Sequence, residues 1–237
     1  MLGPDGREAD LDTVFVVTPA YNEEQTIREV LVNFRRRAFR HHLVVDDGSW
    51  DDTAALARQE GAIVIRHAMN RGLGAALGTG LAAALARGAQ VIVTVDADGQ
   101  HTPEDAFRVI APVLRGDADF VVGTRLFDSR GMPWHRRLAN VIANLLTVLL
   151  FGARSTDSQS GLRAFSRSGA ERIEIRTDGM EVSSEIVGES RRKGLRCLEI
   201  PITSIYTDYS LSKGQSFWTG LRTLRKLLLL KLEGRDR

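Results

Sequence analysis

The most chemically loaded stretch of this 237-residue chain is Asp96-Ala97-Asp98-Gly99-Gln100-His101: two carboxylates spaced by one residue, then an amide and an imidazole. In extended backbone Asp96 and Asp98 share one side, with α-carbons about 6–7 Å apart. Two hard oxygen donors so placed can hold Mg²⁺ or Mn²⁺, ions that usually bridge to phosphate oxygens. The carbonyl oxygen of Gln100 can complete such a shell, and His101 can orient its neighbours. Taken alone, Asp-x-Asp is more often a solvated acidic turn. Its neighbours in space decide which it is.

Three other segments carry comparable groups. In Pro19-Ala20-Tyr21-Asn22-Glu23, Tyr21 can pack on a heterocycle and Glu23 can accept from a base N–H. The plainer reading is that Asn22 caps a helix with Glu23 in its first turn. In Asp46-Asp47-Gly48-Ser49, Asp47 can accept from a base or a ribose hydroxyl, or can simply turn the chain. In Gly123-Thr124-Arg125 a guanidinium fork suits phosphate; the alternative is a surface arginine. Asn70-Arg71-Gly72-Leu73-Gly74 is glycine-rich but is not G-x-G-x-x-G, and no such loop follows the first strand, which excludes a Rossmann dinucleotide site. Gly72, Gly74, Gly78 and Gly80 are expected to let an Ala-rich helix pack closely.

Each chemical segment follows an apolar, β-branched run. Strands are predicted over 13–18, 43–45, 62–65, 91–95 and 119–123. Helices are predicted over 24–38, from Asp51 or Asp52 to about Glu60, over 72–87, and from Thr102, whose side chain caps a turn opened by Pro103. This alternation predicts an α/β fold with a mostly parallel central sheet and helices on both faces. The acidic loops would then gather at the carboxyl edge of the sheet, where such sheets bind ligands. After Thr124 the pattern changes. A basic segment precedes an apolar helix over about 138–151. A polar loop (155–161), a strand (163–166), a helix (181–193), a strand (197–200) and a basic Leu-rich helix (217–233) follow. No repeat or low-complexity linker divides residues 1–237, so a single domain is expected.

Composition narrows the classes. A net charge of +2 gives no global case for nucleic acid. The single cysteine, Cys197, excludes an internal disulfide and fits a reducing compartment. Residues 1–12 hold no signal-peptide core. The longest apolar stretch, Leu138 to Gly152, has 15 residues and contains Asn140 and Asn144; a membrane span needs about 20. The helices at 138–151 and 217–233 instead have apolar stripes (Val141, Leu145, Val148, Leu149; Phe217, Trp218, Leu221, Leu224, Leu228, Leu232) flanked by basic residues. Interfacial helices look like this, and so do helices packed on a core or in a dimer.

Pro-Ala-Tyr-Asn-Glu, Asp-Asp-Gly-Ser, Asn-Arg-Gly, Asp-Ala-Asp-Gly-Gln-His, Gly-Thr-Arg and Asp157-Ser158-Gln159-Ser160-Gly161-Leu162-Arg163-Ala164-Phe165 occur in one order. Together, from about Thr13 to Gly214, they resemble the family-2 glycosyltransferases, above all the dolichyl-phosphate mannosyltransferase branch of polyprenyl-phosphate sugar transferases. The resemblance implies a GT-A fold, a GDP- or UDP-hexose donor, Mg²⁺ or Mn²⁺, and a polyprenyl (dolichyl or undecaprenyl) phosphate acceptor. It implies that Pro19, Tyr21, Glu23 and Asp47 hold base and ribose, and that Asp96 contacts the nucleoside or the metal shell. Asp98 and Gln100 would ligate the metal. Arg125 would face the phosphates, and Arg137, with Arg136, the lipid phosphate. Asp157 lies where an acidic group often stands beside the acceptor. Lys213 is retained in the late loop as a diphosphate contact, while the arginine usual there is absent.

The resulting expectation is an inverting, metal-dependent hexosyltransferase, cytoplasmic and peripherally bound to the inner membrane face. The departure in the late loop would mark a bacterial subgroup with small membrane proteins as partners. Two alternatives stand beside it. One is transfer to a saccharide hydroxyl, which would need a base, with Asp157 the candidate. The other is a non-catalytic nucleotide-sugar-binding scaffold, against which the intact Asp96, Asp98 and Gln100 argue.

Overall fold

The computed structural model describes residues 11–125, 155–203 and 205, with 141–142, 144–145, 147–148 and 152 between. The strands are β1 (Val14–Ala20), β2 (His41–Asp46), β3 (Ile63–Arg66), β4 (Val91–Thr94), β5 (Phe120–Thr124), β6 (Arg163–Ser166) and β7 (Cys197–Pro201). The helices are α1 (Ile27–Arg36), α2 (Thr53–Gln59), α3 (Leu73–Ala86), α4 (Pro103–Leu114), α5 (Arg167–Arg172) and α6 (Val182–Arg192). One seven-stranded sheet runs β3-β2-β1-β4-β6-β5-β7. Only β6 is antiparallel to its neighbours, β4 and β5.

Alternation along the strands divides the core. Val14 and Val16 of β1 pack with Val30 and Phe34 of α1 and with Val109, Ile110 and Val113 of α4. Phe15 and Val17 face the other way, onto Leu77 and Leu81 of α3 and Val182 and Ile186 of α6. Burial of β1 on both faces explains its unbroken apolar sequence. In α1 the buried residues Ile27, Val30, Leu31 and Phe34 recur at helical spacing. Thr102 caps α4 by accepting from the Asp105 amide at 3.1 Å, with Pro103 in the first turn.

Three details differ from the sequence expectation. Pro19, placed in a loop, lies within β1, opposite Val45. Its side of β1 faces β4, where pairing stops at Val17–Thr94, so its missing N–H leaves no gap in the ladder. Residues 167–172, given no element, form α5, which Ser166 caps by accepting from the Gly169 amide. The α3 glycines are close-packed at Gly72, Gly74 and Gly80. A Cβ on Gly74 would stand 1.8 Å from the Thr177 carbonyl oxygen, and one on Gly80 2.3 Å from a Val17 methyl. Gly78 meets nothing within 4 Å. The helices expected at 138–151 and 217–233 lie wholly or partly outside the described residues. The described positions from 141 to 148 are helical, and no helix among the described residues is long and apolar enough to cross a membrane.

Candidate active site

β1 lies between β2 and β4, so successive connections leave in opposite directions there. This is the switch point at which open α/β sheets form a ligand crevice. Side chains lace the loops after β1 and β2 together. The Asn22 amide donates to Ser49 Oγ at 2.9 Å, the Trp50 amide to Asn22 Oδ1 at 3.1 Å, and the Glu23 amide to Thr53 Oγ1 at 2.8 Å. Asn22 therefore ties two loops and does not cap α1, and it adopts a left-handed φ of 56° to do so. Tyr21 is left exposed at the rim, with Glu23 partly exposed beside it.

The paired aspartates after β2 are both buried and serve the scaffold. Asp46 accepts from the Ser49 amide at 3.0 Å, and Arg66 Nε lies 3.0 Å from its other oxygen, an ion pair without hydrogen-bond alignment. Asp47, expected to receive a base or ribose, accepts from His67 Nδ1 at 2.6 Å and from the Arg71 and Gly72 amides at 3.0 and 2.7 Å. Both of its oxygens hold the loop that leads into α3, because three donors converge there once Gly48 lets that loop approach. A Cβ on Gly48 would stand 2.5 Å from the Met69 backbone.

The carboxylates after β4 are set differently. Asp96 accepts from His101 Nε2 at 3.2 Å and lies against Gly161, whose carbonyl takes a 2.7 Å bond from Thr94 Oγ1. Burial would raise the Asp96 pKa; the hydrogen bond and charge of His101, with Arg125 and Arg163, outweigh it and hold the carboxyl below its ordinary value. Asp98 is the opposite case. Burial first, then the charge of Asp96 and, more weakly, of Glu23, push it up, against smaller opposing effects from His101 and the Gln100 amide. Two neighbouring carboxyls with divergent pKa values are a mark of functional sites.

Among the described residues no three His, Cys, Asp or Glu side chains form a ready metal cage. The donor set nevertheless fits a hard cation. Carboxylates whose charges oppose one another converge near Asp98, and a cation shared with a diphosphate needs only one or two of them. Gln100 stands within reach but presents its nitrogen. Its amide group donates to Asp98 Oδ2 at 2.5 Å and its backbone N–H to Oδ1 at 3.1 Å. Half a turn about the last side-chain bond would bring the oxygen to the same place.

Arg125 and Asp157, expected as separate site residues, are brought together as an ion pair. Arg125 Nε and Nη2 donate to the two Asp157 oxygens at 2.7 and 2.8 Å, and the Arg125 amide adds a third bond at 3.0 Å. Asp157 is fully buried. A carboxylate held by a bidentate guanidinium is a poor general base. Arg136, Arg137 and Lys213 lie outside the described residues.

Sequence reasoning assigned no role to Arg163. It sits in β6 opposite Thr94, is 1% exposed, and lines an approximately 50 Å³ cavity with Pro19, Thr94, Asp96, Gly161 and Ser183. Burial and the nearby Arg125 lower its pKa to about 10, against the opposite pull of Asp96 and Asp157, so it remains a cation at neutral pH. The signal was a charged residue at the head of a short apolar run, Leu162-Arg163-Ala164-Phe165.

Residues 15–173 match the model of Glycosyl transferase family 2. The chain is 45% identical over 230 residues to an uncharacterized protein of Methanocaldococcus jannaschii, covering 95% of each. It is 35% identical to a UDP-N-acetylglucosamine–dolichyl-phosphate N-acetylglucosaminyltransferase of Methanococcus voltae, covering 92% of this chain and 96% of that one. With the polyprenol monophosphomannose synthase of Mycolicibacterium smegmatis it shares 32% over 84% of this chain and 79% of that one. Among solved structures, glucosyl-3-phosphoglycerate synthase from Mycobacterium tuberculosis, in complex with Mn²⁺, UDP and phosphoglyceric acid, superposes with a TM-score of 0.72 at 24% identity, covering 92% and 78%. That likeness shows the fold, which is GT-A.

Proposed function

The chain belongs to glycosyl transferase family 2 and is a glycosyltransferase of the polyprenyl-phosphate branch, and we propose that it moves a hexose from a nucleotide-diphosphate sugar to a polyprenyl phosphate with inversion. The observation that carries this reading is the meeting of the Tyr21–Glu23 rim with Asp96, Asp98 and Gln100 at one switch point of the sheet.

In this reading Tyr21 packs on the base of a GDP- or UDP-hexose, and Glu23 accepts from it beside Pro19. Asp47 shapes the same pocket indirectly, through the 67–72 loop that it holds. Asp98, with Gln100 turned to present its oxygen, and Asp96 hold Mg²⁺ or Mn²⁺. The bound cation offsets charge on the departing diphosphate. His101 and Gly161 fix the attitude of Asp96. The acceptor is already an anion at neutral pH, so it needs placement and no strong base. This agrees with an Asp157 committed to Arg125. Arg136 and Arg137 take the lipid phosphate and Lys213 the donor diphosphate. Arg125 clamps the 155–161 loop through Asp157.

The acceptor assignment is supported by the relatives' lipid-phosphate acceptors and by exposed apolar side chains on the segment before residue 155. Val141, Ile142 and Leu145 are 50%, 50% and 57% exposed. A peripheral attachment at the inner membrane face follows from a lipid acceptor and a cytoplasmic nucleotide sugar. The test offers labelled UDP-N-acetylglucosamine, UDP-glucose and GDP-mannose in turn to vesicles containing polyprenyl phosphate, with Mn²⁺, Mg²⁺ or EDTA. Metal-dependent label in acid-labile lipid is the expected result. Label that passes only to added saccharides would overturn the lipid assignment.

A further inference from the structure

We propose that Arg163 is a positioning residue of the transfer reaction, holding the Asp96 carboxylate in the attitude in which the metal–diphosphate end of the donor meets it. The inference rests on the donor reading above and adds a residue to it.

The geometry comes from the β4–β6 register. Thr94 pairs with Arg163, so the two side chains share a face of the sheet. The chain after Thr94 stays extended long enough for the Val95 amide to reach the Val17 carbonyl at 3.0 Å. Asp96 therefore emerges on the Thr94 side and lines the same cavity as Arg163. Two residues before Arg163, Gly161 supplies the surface on which Asp96 lies. The 161–163 segment thus presents a bare α-carbon against Asp96 and, across the shared cavity, the Arg163 guanidinium.

Arg163 has little else to do. Its Nη2 donates to the Ser158 carbonyl at 3.0 Å, while Nε, fully buried, has no hydrogen-bond partner among the described residues. A buried guanidinium is costly unless opposite charges compensate it. Here the compensating charges are Asp96 and Asp157. Asp157 already has a bidentate partner in Arg125. Among the described residues Asp96 takes one side-chain hydrogen bond, from His101 at 3.2 Å, and the positive charges of Arg125 and Arg163 add to it. The alternative is a purely scaffolding arginine that braces the 157–158 turn.

Calorimetry separates the two. UDP and GDP are titrated into the wild type, Arg163→Lys and Arg163→Met, once with Mn²⁺ and once in EDTA, with a melting curve for each protein. Loss of positioning weakens Mn²⁺-dependent nucleotide binding about ten-fold or more in Arg163→Met and about three-fold in Arg163→Lys, with EDTA values within about two-fold of wild type. Equal weakening in both conditions, or none in either, overturns the proposal. If Arg163→Met melts without cooperativity, the Arg163→Lys pair of titrations decides. A wild type that binds neither nucleotide removes the donor reading and this inference with it. A wild type that binds, with variants that match it, removes this inference alone.

Discussion

The Asp96 carboxylate lies directly on the α-carbon of Gly161: a Cβ built on Gly161 would stand 2.1 Å from each Asp96 oxygen. The atoms met are the carboxylate at the end of the Asp96 side chain, so it is that group, and not the backbone, that must give way. Gly161→Ala must therefore displace Asp96, while the rest of the 161–163 backbone keeps its bonds to β4. A shift of about 1 Å in a positioning group can cost about 100-fold in rate. Gly161→Ala is expected to lose about that factor in kcat/KM and to melt within a few degrees of wild type. Undiminished activity would mean that the attitude of Asp96 does not matter.

Asp98 carries a stability cost, which the proposed metal role would account for. Its native pKa is raised by burial and by Asp96, so over a window above the ordinary value the native state binds more protons than the unfolded one. Stability therefore declines as pH rises through that window, and ionised Asp98 destabilises the protein at neutral pH. Asp98→Asn is expected to raise the metal-free melting temperature by a few degrees and to cut metal-dependent turnover by about 100-fold or more. Mn²⁺ with UDP should raise the melting temperature of wild type and leave the variant's unchanged. A lower melting temperature for Asp98→Asn would show that no such strain exists.

Much of this site was legible because its residues sit at the ends of buried strands. Apolar runs such as Val14–Thr18 and Val91–Val95 announce the strand, and the first polar residues beyond it must emerge at the sheet edge. Asp98 and Tyr21 were singled out in that way. Partnerships across distant segments left no such trace. Arg125 and Asp157 are 32 positions apart, and each looked like an independent site residue until the insertion of β6 between β4 and β5 joined them. The scaffold partners of Asp47 were hidden for a related reason: His67 is 20 positions away, and the Arg71 and Gly72 amides have no side-chain signature. Arg163 was missed because a strand of four residues gives too short a period to reveal a charge facing inward.

The Arg125–Asp157 pair gives a test of scaffold against catalysis. Asp157 is fully buried and the Arg125 side chain is 13% exposed. Removing one partner of such a pair leaves an uncompensated buried charge and costs about 3–5 kcal/mol. Asp157→Ala is therefore expected to lower the urea midpoint markedly. A general base would behave in the opposite way, with activity abolished and the midpoint unmoved. Arg125→Ala should destabilise to a similar degree, and the double variant should cost much less than the sum of the two.

His42 sets a pH limit on the fold, far from the chemistry. Its ring is buried, with one nitrogen bonded to the Phe39 carbonyl at 3.0 Å and the ring set at right angles to Phe34. Burial above all, against the Phe39 bond and with help from Arg35 and His41, lowers its pKa from 6.5 to about 4. Between those values the unfolded chain binds a proton that the native state refuses. The stabilisation is thus complete above about pH 6.5 and is lost as pH falls toward 4, a change of about 3 kcal/mol. His42→Gln cannot titrate and can still donate to the Phe39 carbonyl. Urea unfolding at pH 7.5, 6, 5 and 4 should show the gap between wild type and His42→Gln narrowing or reversing toward acid. A gap that stays constant across the series would mean that His42 takes up its proton in the folded protein as readily as in the unfolded chain.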